Sequence, residues 1–425
     1  MKHRYFFLIY LFSSIMTPCL GSNNPGIDQN TTLRIDFVLT GNHVKQQATI
    51  SDLFRIPGYS GSAAQNIPTF DYGNYKLTVT DKASGDTLFL KGFCTLFGEW
   101  QSTSEAKDVS RAFKQTIEMP FPKTEVTLLF QHRKKNGSII DMLSEDFSPE
   151  QLITTLSPQK FPSKIIHGND HPHQNTDLLI IAEGYRKEDS ALFFKDANKL
   201  SKYLLNTQPF EKKQASITIR ALAVPSLDSG TDNPGKGNWK NTAMNSSFNT
   251  FGTDRYLETL DTWSVFNYAA ALPHDHIIVL VNSKKYGGGG VYNHFSIATA
   301  RHKASPEVFV HELGHGLAGL GDEYYYSETA YSEFFSLETE PWQPNLTTLI
   351  DFDSKWKFLL EDSIPIPTPD NSKYRKATGV FEGGGYSAKG IYRPAINCRM
   401  KSNEAEGFCK VCQFSIKKIL DFYTQ

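Results

Sequence analysis

The stretch HELGHGLAGLGDEY, residues 311–324, places two histidines four residues apart with a glutamate between them. Just upstream, SPE at 305–307 offers an N-cap hydroxyl, a proline at the first helical position and an acid in the first turn. Residues four apart lie on one face of a helix, so His311 and His315 can bind one ion. Glu312 lies beside them, where it can hold a water molecule. This pattern is typical of zinc hydrolases and predicts a zinc site on a helix.

The residues that follow favour a metal site with a third ligand. The alternative is an ordinary amphipathic helix whose two histidines bind no metal. Gly319 and Gly321 lie where the helix must end and the chain must turn. Asp322 comes directly afterwards and offers a hard carboxylate oxygen for a third zinc position. Glu323 stands next to it and competes for the same position.

Several motifs in the C-terminal part of the chain together resemble one known family. They are HELGHGLAGLGDEY at 311–324, IYRPAINCRMK at 391–401, FCKVC at 408–412, DLLIIAEGY at 177–185 and LDSGTDNPG at 227–235. With them the chain resembles the secreted bacterial zinc metallopeptidases of the IgA-peptidase type, and its N-terminal part resembles the accessory domain of that family. The resemblance implies a metzincin-like catalytic domain that hydrolyses peptide bonds.

The resemblance also implies residue roles. The implied zinc ligands are His311, His315 and Asp322. Glu312 is the implied catalytic acid and base. Metzincins carry a glycine three residues after the second histidine and the third ligand six residues after it, whereas here Ala318 stands at three, Gly319 at four and Asp322 at seven. Asp322 is still the expected third ligand, and Glu323 stays open as its competitor.

The segment 391–401 is expected to form another part of the site. Met400 precedes an apolar helical face and fits the family's methionine turn beneath the zinc, although a plain core methionine has the same position. Tyr392 lies shortly before it and is the candidate for stabilising the oxyanion, next to Arg393. The competitors for that role are Tyr386, Tyr324 and His294.

Length and composition indicate a two-domain globular protein. The 425 residues exceed most single domains, and 39% of them are hydrophobic and 21% charged. The formal charge of −1 gives no overall attraction to nucleic acid or anionic lipid. We therefore expect a protein or glycoprotein substrate, no nucleic-acid partner, and a monomer.

The sequence pattern changes once along the chain. Residues 22–150 carry short alternating runs such as RIDFVLTG and YKLTVTD, which predict an antiparallel β-sandwich accessory domain. No site is evident in it, so its predicted role is that of a folding or spacer module. Residues 151–425 alternate helices with buried strands and form the predicted zinc metallopeptidase domain. The expected fold class is thus α+β, with a metzincin-like catalytic domain preceded by the β-sandwich.

A glycine run at 287–290 leads into VYNHFSIATA. We predict that VYNHFSIATA forms an exposed edge strand that crosses the cleft and holds an extended substrate by β-augmentation. Glycines would let the substrate backbone approach the strand closely.

The N-terminus predicts export. Residues 1–21 have a basic start, an apolar run at 5–16 and a small-residue cleavage point near Gly21, as in a signal peptide. The run is too short for a dependable transmembrane helix. Cys19 leaves a lipoprotein alternative open, in which an acyl chain tethers the protein to a membrane, but Pro18 suits that processing poorly. We expect a secreted, periplasmic or cell-surface protein.

The remaining cysteines are interpreted as those of an exported protein. A CxxC pair, Cys409 and Cys412, with Cys398 nearby could form a structural zinc site, but no histidine lies in this cluster to complete four ligands. Exported cysteines more often form disulfides. We therefore expect Cys398 to pair with Cys409 or Cys412, and Cys94 to be free and buried.

These features together predict a secreted zinc endopeptidase that uses a metal-activated water with Glu312 as general base. The family name implies immunoglobulin A as one substrate, while other host proteins stay open because the loops at 325–341 and 362–386 would set specificity. The alternative is a non-catalytic surface or glycoprotein-binding module with a vestigial metal site. Glu312 argues against it, since a structural site needs no such carboxylate.

Overall fold

The computed structural model describes residues 26–59, 61–62, 65–325 and 334–424. The predicted signal peptide, Cys19 and residues 326–333 of the loop at 325–341 lie outside these described residues. None of the described helices is both long enough and apolar enough to cross a membrane.

The described residues form strands and helices with the following bounds. The strands are β1 (Ile27–Gly41), β2 (Gln46–Pro57), β3 (Tyr75–Asp81), β4 (Thr87–Phe93), β5 (Arg111–Pro122), β6 (Val126–Arg133), β7 (Ile139–Phe147), β8 (Thr154–Thr155), β9 (Ser163–His167), β10 (Thr176–Glu183), β11 (Ile217–Leu222), β12 (His276–Val281), β13 (Gly288–Val291), β14 (Phe295–Thr299), β15 (Phe381–Gly384) and β16 (Ser387–Arg393). The α-helices are α1 (Leu96–Trp100), α2 (Glu105–Asp108), α3 (Ser190–Leu205), α4 (Phe210–Lys213), α5 (Thr262–Ala269), α6 (Ser305–Ala318) and α7 (Lys410–Thr424).

The N-terminal part contains two four-stranded sheets, ordered β5-β1-β2-β8 and β4-β3-β6-β7. Every second residue of β3 is buried, because successive side chains of a strand point to opposite faces. Buried side chains from both sheets join in one hydrophobic cluster, for example Ile35 and Phe37 from β1 with Leu77 and Val79 from β3. Burying each such side chain contributes about 1.5–3 kcal/mol. The apolar side chains that alternate along these strands therefore pack between the two sheets and hold them together.

The C-terminal part is built on a six-stranded sheet, ordered β13-β14-β12-β10-β11-β9. Its four central strands run parallel, and every residue of β10 and β12 is buried. Alternate side chains supply two cores: Leu178 and Ile180 pack with helices α3, α6 and α7, while Leu179 and Ile181 pack with helix α5. The whole chain is therefore a mixed α/β protein, in which helix α6 lies against one face of the parallel sheet.

The two parts of the chain pack against each other through buried polar contacts. The Arg34 guanidinium pairs with Asp36 and donates to Asn267 Oδ1 over 2.8 Å, which joins β1 to helix α5. His274 Nε2 lies 3.0 Å from Glu118 Oε2 across the same junction. Buried charges without a partner would be costly, so these pairs fix how the two parts meet.

Candidate active site

Helix α6 carries the two histidines, and its C-terminal end turns the chain back towards them. The helix begins at Ser305, one residue earlier than the sequence suggests, and ends at Ala318. Gly319 takes a left-handed φ of 64°, and its N–H donates to the His315 carbonyl over 3.0 Å. A side chain at this position would also meet Trp342 at 2.8 Å. Glycine is therefore required at the helix end, as the sequence predicts.

The two imidazoles face each other with their Nε2 atoms 3.0 Å apart. His311 Nδ1 lies 2.9 Å from the Arg399 carbonyl, and His315 Nδ1 lies 2.6 Å from the Leu320 carbonyl. A carbonyl only accepts hydrogen bonds, so each Nδ1 carries a hydrogen in the neutral ring. The lone pairs of both Nε2 atoms are therefore directed at the same position, as is required for both rings to coordinate one metal ion.

The side chain of Asp322 completes this set of ligand atoms. Its Oδ1 lies 3.2 Å from Nε2 of His311 and 3.2 Å from Nε2 of His315. Three ligands at about 2.0–2.2 Å from a tetrahedral ion lie about 3.3–3.6 Å apart, slightly more than these separations. Oδ1 is buried and has no hydrogen-bond partner among the described residues. These observations fit a divalent metal held by His311, His315 and Asp322.

Glu323 does not join the histidines. Its side chain is fully buried, and Oε1 lies 3.2 Å from Cys412 Sγ and accepts a hydrogen bond from Asn345 Nδ2 over 3.0 Å. The structure thus brings Asp322, rather than the competing acid, to the two imidazoles.

Charge and burial oppose each other at this cluster. Burial disfavours the ionised form of Asp322, but the two imidazoles hold its pKa well below the usual range. Burial likewise lowers the pKa of His315, but the Asp322 carboxylate outweighs it and raises that pKa to about 9. The carboxylate that stabilises a proton on His315 would also stabilise a divalent ion, which must displace that proton from Nε2 to bind.

Glu312 faces the cleft directly beside the proposed ligands. One of its carboxylate oxygens lies within 4.8 Å of the ligand atoms of His311 and His315. Burial raises the pKa of Glu312, although the neighbouring imidazoles work against this shift. A raised carboxyl pKa suits a group that must both accept and return a proton near neutral pH.

The glycine run forms β13, the edge strand of the six-stranded sheet, and β13 lies against helix α6 at this point. A Cβ on Gly288 would stand 2.7 Å from Glu312 Oε1, and a Cβ on Gly290 would stand 2.4 Å from the Glu312 carbonyl oxygen. Only a strand without side chains can pass so close to the helix. The edge strand at the cleft is therefore β13, which the glycine run itself forms. The prediction that VYNHFSIATA is the exposed edge strand is wrong, because this segment supplies β14, which is buried between β13 and β12.

Met400 packs against helix α6 at Gly314, which lies between the two histidines in the sequence. A Cβ on Gly314 would come within 2.8 Å of Met400 Sδ, which shows how closely the sulfur approaches the helix backbone. Met400 is fully buried, and its carbonyl accepts a hydrogen bond from the Glu323 N–H over 2.9 Å. The turn that contains Met400 therefore supports both the helix and the segment that carries Asp322.

The ligand cluster opens into a cleft of about 790 Å³. Tyr386 and Tyr324 line it, with Arg255. Tyr386 lies at the tip of the β15–β16 hairpin with a left-handed φ of 65°, and its hydroxyl donates to Asp322 Oδ2 over 2.5 Å. A non-glycine residue held at positive φ stores strain, which the surrounding contacts must offset.

The structure does not bring two of the predicted candidates to this cleft. Tyr392 packs with Phe352, Trp356 and Val380, because side chains alternate along β16. His294 is buried and lines a separate cavity, and burial lowers its pKa to about 3. The tyrosines that do face the cleft are Tyr386 and Tyr324, which the sequence analysis named as competitors of Tyr392. Sequence periodicity could not identify Tyr386, because it lies at the tip of a hairpin.

The N-terminal part forms one wall of the cleft, which the sequence interpretation missed. Asn74, Thr95 and Glu99 line it beside the glycine strand. The Tyr256 hydroxyl donates to Glu99 Oε2 over 2.5 Å, and Trp342 Nε1 donates to Asn74 Oδ1 over 2.6 Å. The spacer interpretation therefore needs correction, since this part shapes the site.

The expected disulfide is absent from the described residues. Cys94, Cys398, Cys409 and Cys412 are all free thiols, and Cys94 is half-buried rather than buried. Cys398 Sγ and Cys412 Sγ lie 3.7 Å apart, well beyond the S–S bond length of about 2.0 Å. Cys412 faces Glu323 as well as Cys398, so the three thiols surround a carboxylate instead of pairing.

Comparison with known proteins gives two family matches. The model of the family described as IgA Peptidase M64 matches residues 166–376 and 370–420, and that described as Peptidase M64 N-terminus matches residues 26–144. No curated protein matches the chain significantly. Metalloproteinase-II from Bacteroides fragilis, a solved structure, is similar over 58% of this chain and 85% of its own, with 11% identity and a TM-score of 0.21. That structural similarity is too low to support an argument.

Proposed function

We propose that this chain, which belongs to the IgA peptidase M64 family, is an exported zinc-dependent endopeptidase. The observation that carries this proposal is the convergence of Asp322 Oδ1 with the Nε2 atoms of His311 and His315, with Glu312 at their side. Two imidazoles and one carboxylate leave a fourth position open, as catalytic zinc sites do and closed structural sites do not. When bound there, zinc would lower the pKa of a water and polarise the substrate carbonyl.

The protein's own groups supply the proton transfers. Glu312 would take a proton from the attacking water and then deliver it to the leaving amine. Its raised pKa supports this double role, since the carboxyl holds the proton between the two steps. The backbone of β13 at Gly289 and Gly290 would pair with an extended substrate, because β13 is an edge strand that lines the cleft, whereas the Gly288 carbonyl already accepts from the Leu257 N–H over 3.4 Å. The substrate class is therefore a protein or glycoprotein segment that can enter in extended form.

Several finer features belong to the same proposal. Residues 22–150 would form a β-sandwich domain and residues 151–425 a metzincin-like catalytic domain, which the shared core of the two N-terminal sheets and the place of Met400 support. Export would follow from residues 1–21, with a membrane tether only if Cys19 is acylated. Immunoglobulin A or another host protein would be the substrate, and the enzyme would act as a monomer.

Metal analysis and a cleavage assay test this function together. We expect the purified mature protein to bind zinc and to cleave internal bonds of a broad peptide library. A chelator should abolish cleavage, and added zinc should restore it. Zinc without any cleavage would favour the binding-module alternative, and cleavage that survives complete metal removal would contradict the proposal.

We assign the oxyanion contact to Tyr386, because its hydroxyl already lies at the ligand cluster. Tyr386→Phe should lower kcat by about 10²–10³-fold, as loss of one oxyanion donor does, with little change in KM. If Tyr386 only orients Asp322, zinc affinity should fall by about 10–100-fold instead, and kcat of the zinc-saturated enzyme should be normal. Tyr392→Phe is the matched control and should be unaffected, since Tyr392 lies outside the cleft.

A further inference from the structure

A second group of metal-ligating side chains lies near the Met400 turn and is not among the residues that line the cleft. Glu323, Cys398, Cys409 and Cys412 each offer one ligand atom, and these four atoms lie within 4.8 Å of one another. Three of the four residues are buried, and Cys409 is partly buried. The ligands come from three places in the fold: the residue after Asp322, the Met400 turn, and the start of helix α7.

The distances between these ligand atoms fit coordination of a shared metal ion better than a disulfide bond. Cys398 Sγ and Cys412 Sγ are 3.7 Å apart, and Cys412 Sγ is 3.2 Å from Glu323 Oε1. Two sulfurs at about 2.3 Å from a tetrahedral zinc lie about 3.8 Å apart, and a sulfur and an oxygen lie about 3.5 Å apart. The two pairs are therefore spaced nearly as two edges of one coordination tetrahedron.

Glu323 gives an independent indication that a cation belongs here. It is fully buried, and its Oε2 has no hydrogen-bond partner among the described residues. Asn345 Nδ2 donates to Oε1 over 3.0 Å and so fixes the orientation of the carboxylate. A buried carboxylate with an unsatisfied oxygen among thiols is costly, and a metal ion would offset that cost.

We propose that Glu323, Cys398, Cys409 and Cys412 bind a second, structural zinc ion. Four protein ligands close its coordination shell, unlike the open three-ligand cluster on helix α6. Tetrahedral sites rich in thiolate favour zinc among the divalent ions of this group. A carboxylate from a distant segment thus takes the place of the histidine that the local sequence lacks.

The second zinc would hold the catalytic ligands in place. Glu323 follows Asp322 directly, and its N–H donates to the Met400 carbonyl over 2.9 Å. Cys398 precedes Arg399, whose carbonyl accepts from His311 Nδ1 over 2.9 Å. One ion would therefore tie together the segments that orient two of the three catalytic ligands.

Removing two ligands of the catalytic site allows zinc binding at the second site to be measured alone. The full-length double variant His311→Ala, His315→Ala keeps all four ligands of the second site. We expect the wild type to bind two zinc ions per chain and the variant to retain one. X-ray absorption of the retained zinc should show sulfur neighbours at about 2.3 Å. A variant without zinc, or with zinc that has only nitrogen and oxygen neighbours, would overturn the second site while leaving the proposed function intact.

Cysteine variants give the complementary measurement. Cys409→Ser in the double-histidine background should remove the retained zinc and lower the Tm, whereas Cys94→Ser should change neither, because Cys94 lies outside the cluster. If Cys409→Ser fails to fold, the absorption spectrum of the parent variant still decides the question. A disulfide among Cys398, Cys409 and Cys412 in the native protein, seen as two missing thiols after unfolding without reductant, would also contradict the proposal.

Discussion

Replacement of Glu312 by glutamine is expected to lower kcat by about 10²–10⁴-fold, the range that a general acid–base group contributes. Glutamine has nearly the same shape but cannot accept a proton from the attacking water. The ligand atoms of His311, His315 and Asp322 are unchanged, so zinc content and Tm should stay close to those of the wild type. Steady-state kinetics with a cleaved library peptide, run beside metal analysis, measures both quantities.

The matched control for this variant is Glu307→Gln in the first turn of the same helix. Glu307 is half-buried and lies outside the cleft, so its loss should leave kcat within about twofold of the wild type. Full activity of the Glu312 variant with zinc bound would rule out its role as the base. A loss of zinc together with activity would instead assign Glu312 to metal binding.

Replacement of Asp322 by alanine is expected to reduce activity by about 10³-fold or more, because metal catalysis supplies several kcal/mol and each 1.36 kcal/mol is tenfold in rate. The variant leaves two imidazoles without their shared carboxylate, which lies 3.2 Å from both Nε2 atoms. Zinc should be lost from the site at chelator concentrations that the wild type resists. Excess zinc should restore part of the activity if the two histidines still bind the ion weakly.

Asp353→Ala is the control for this second variant, since Asp353 is an exposed acid that pairs only with Lys357 among the described residues. It should keep wild-type activity and chelator resistance. Normal zinc retention in the Asp322 variant would show that another group is the third ligand. The assignment of Asp322 from its contacts with both imidazoles would then be wrong.

Features of the site that depend on residues close in the sequence can be predicted from it, whereas contacts between distant segments cannot. The i, i+4 spacing of His311 and His315 survives any packing of helix α6, and a glycine that ends the helix is also a local requirement. The helix and its glycine end are confirmed by the bounds of helix α6. The glycine run at 287–290 does mark a close approach, but its observed neighbour is helix α6, and the edge strand is the run itself instead of the predicted VYNHFSIATA.

Tyr386 and Glu323 show what the sequence cannot determine alone. Tyr386 reaches Asp322 because two strands fold into a hairpin, and Tyr392 leaves the cleft because its strand alternates. Glu323 turns away from its neighbour and meets cysteines that lie far along the chain. Each of these contacts depends on how separate segments pack, which no local periodicity encodes. The fourth ligand proposed for the cysteine cluster, Glu323, likewise comes from a distant segment and leaves no signal in the local sequence.

The wall that Asn74, Thr95 and Glu99 contribute to the cleft has an evolutionary consequence. A catalytic domain that carried its whole cleft could be recombined with many partners and would tolerate new neighbours. Here a substitution on one side of the junction, for example at Tyr256, removes the hydrogen bond to Glu99 on the other side and favours a compensating change there. The two regions are therefore expected to be inherited together and to diverge in step, so that their sequence changes correlate across the junction.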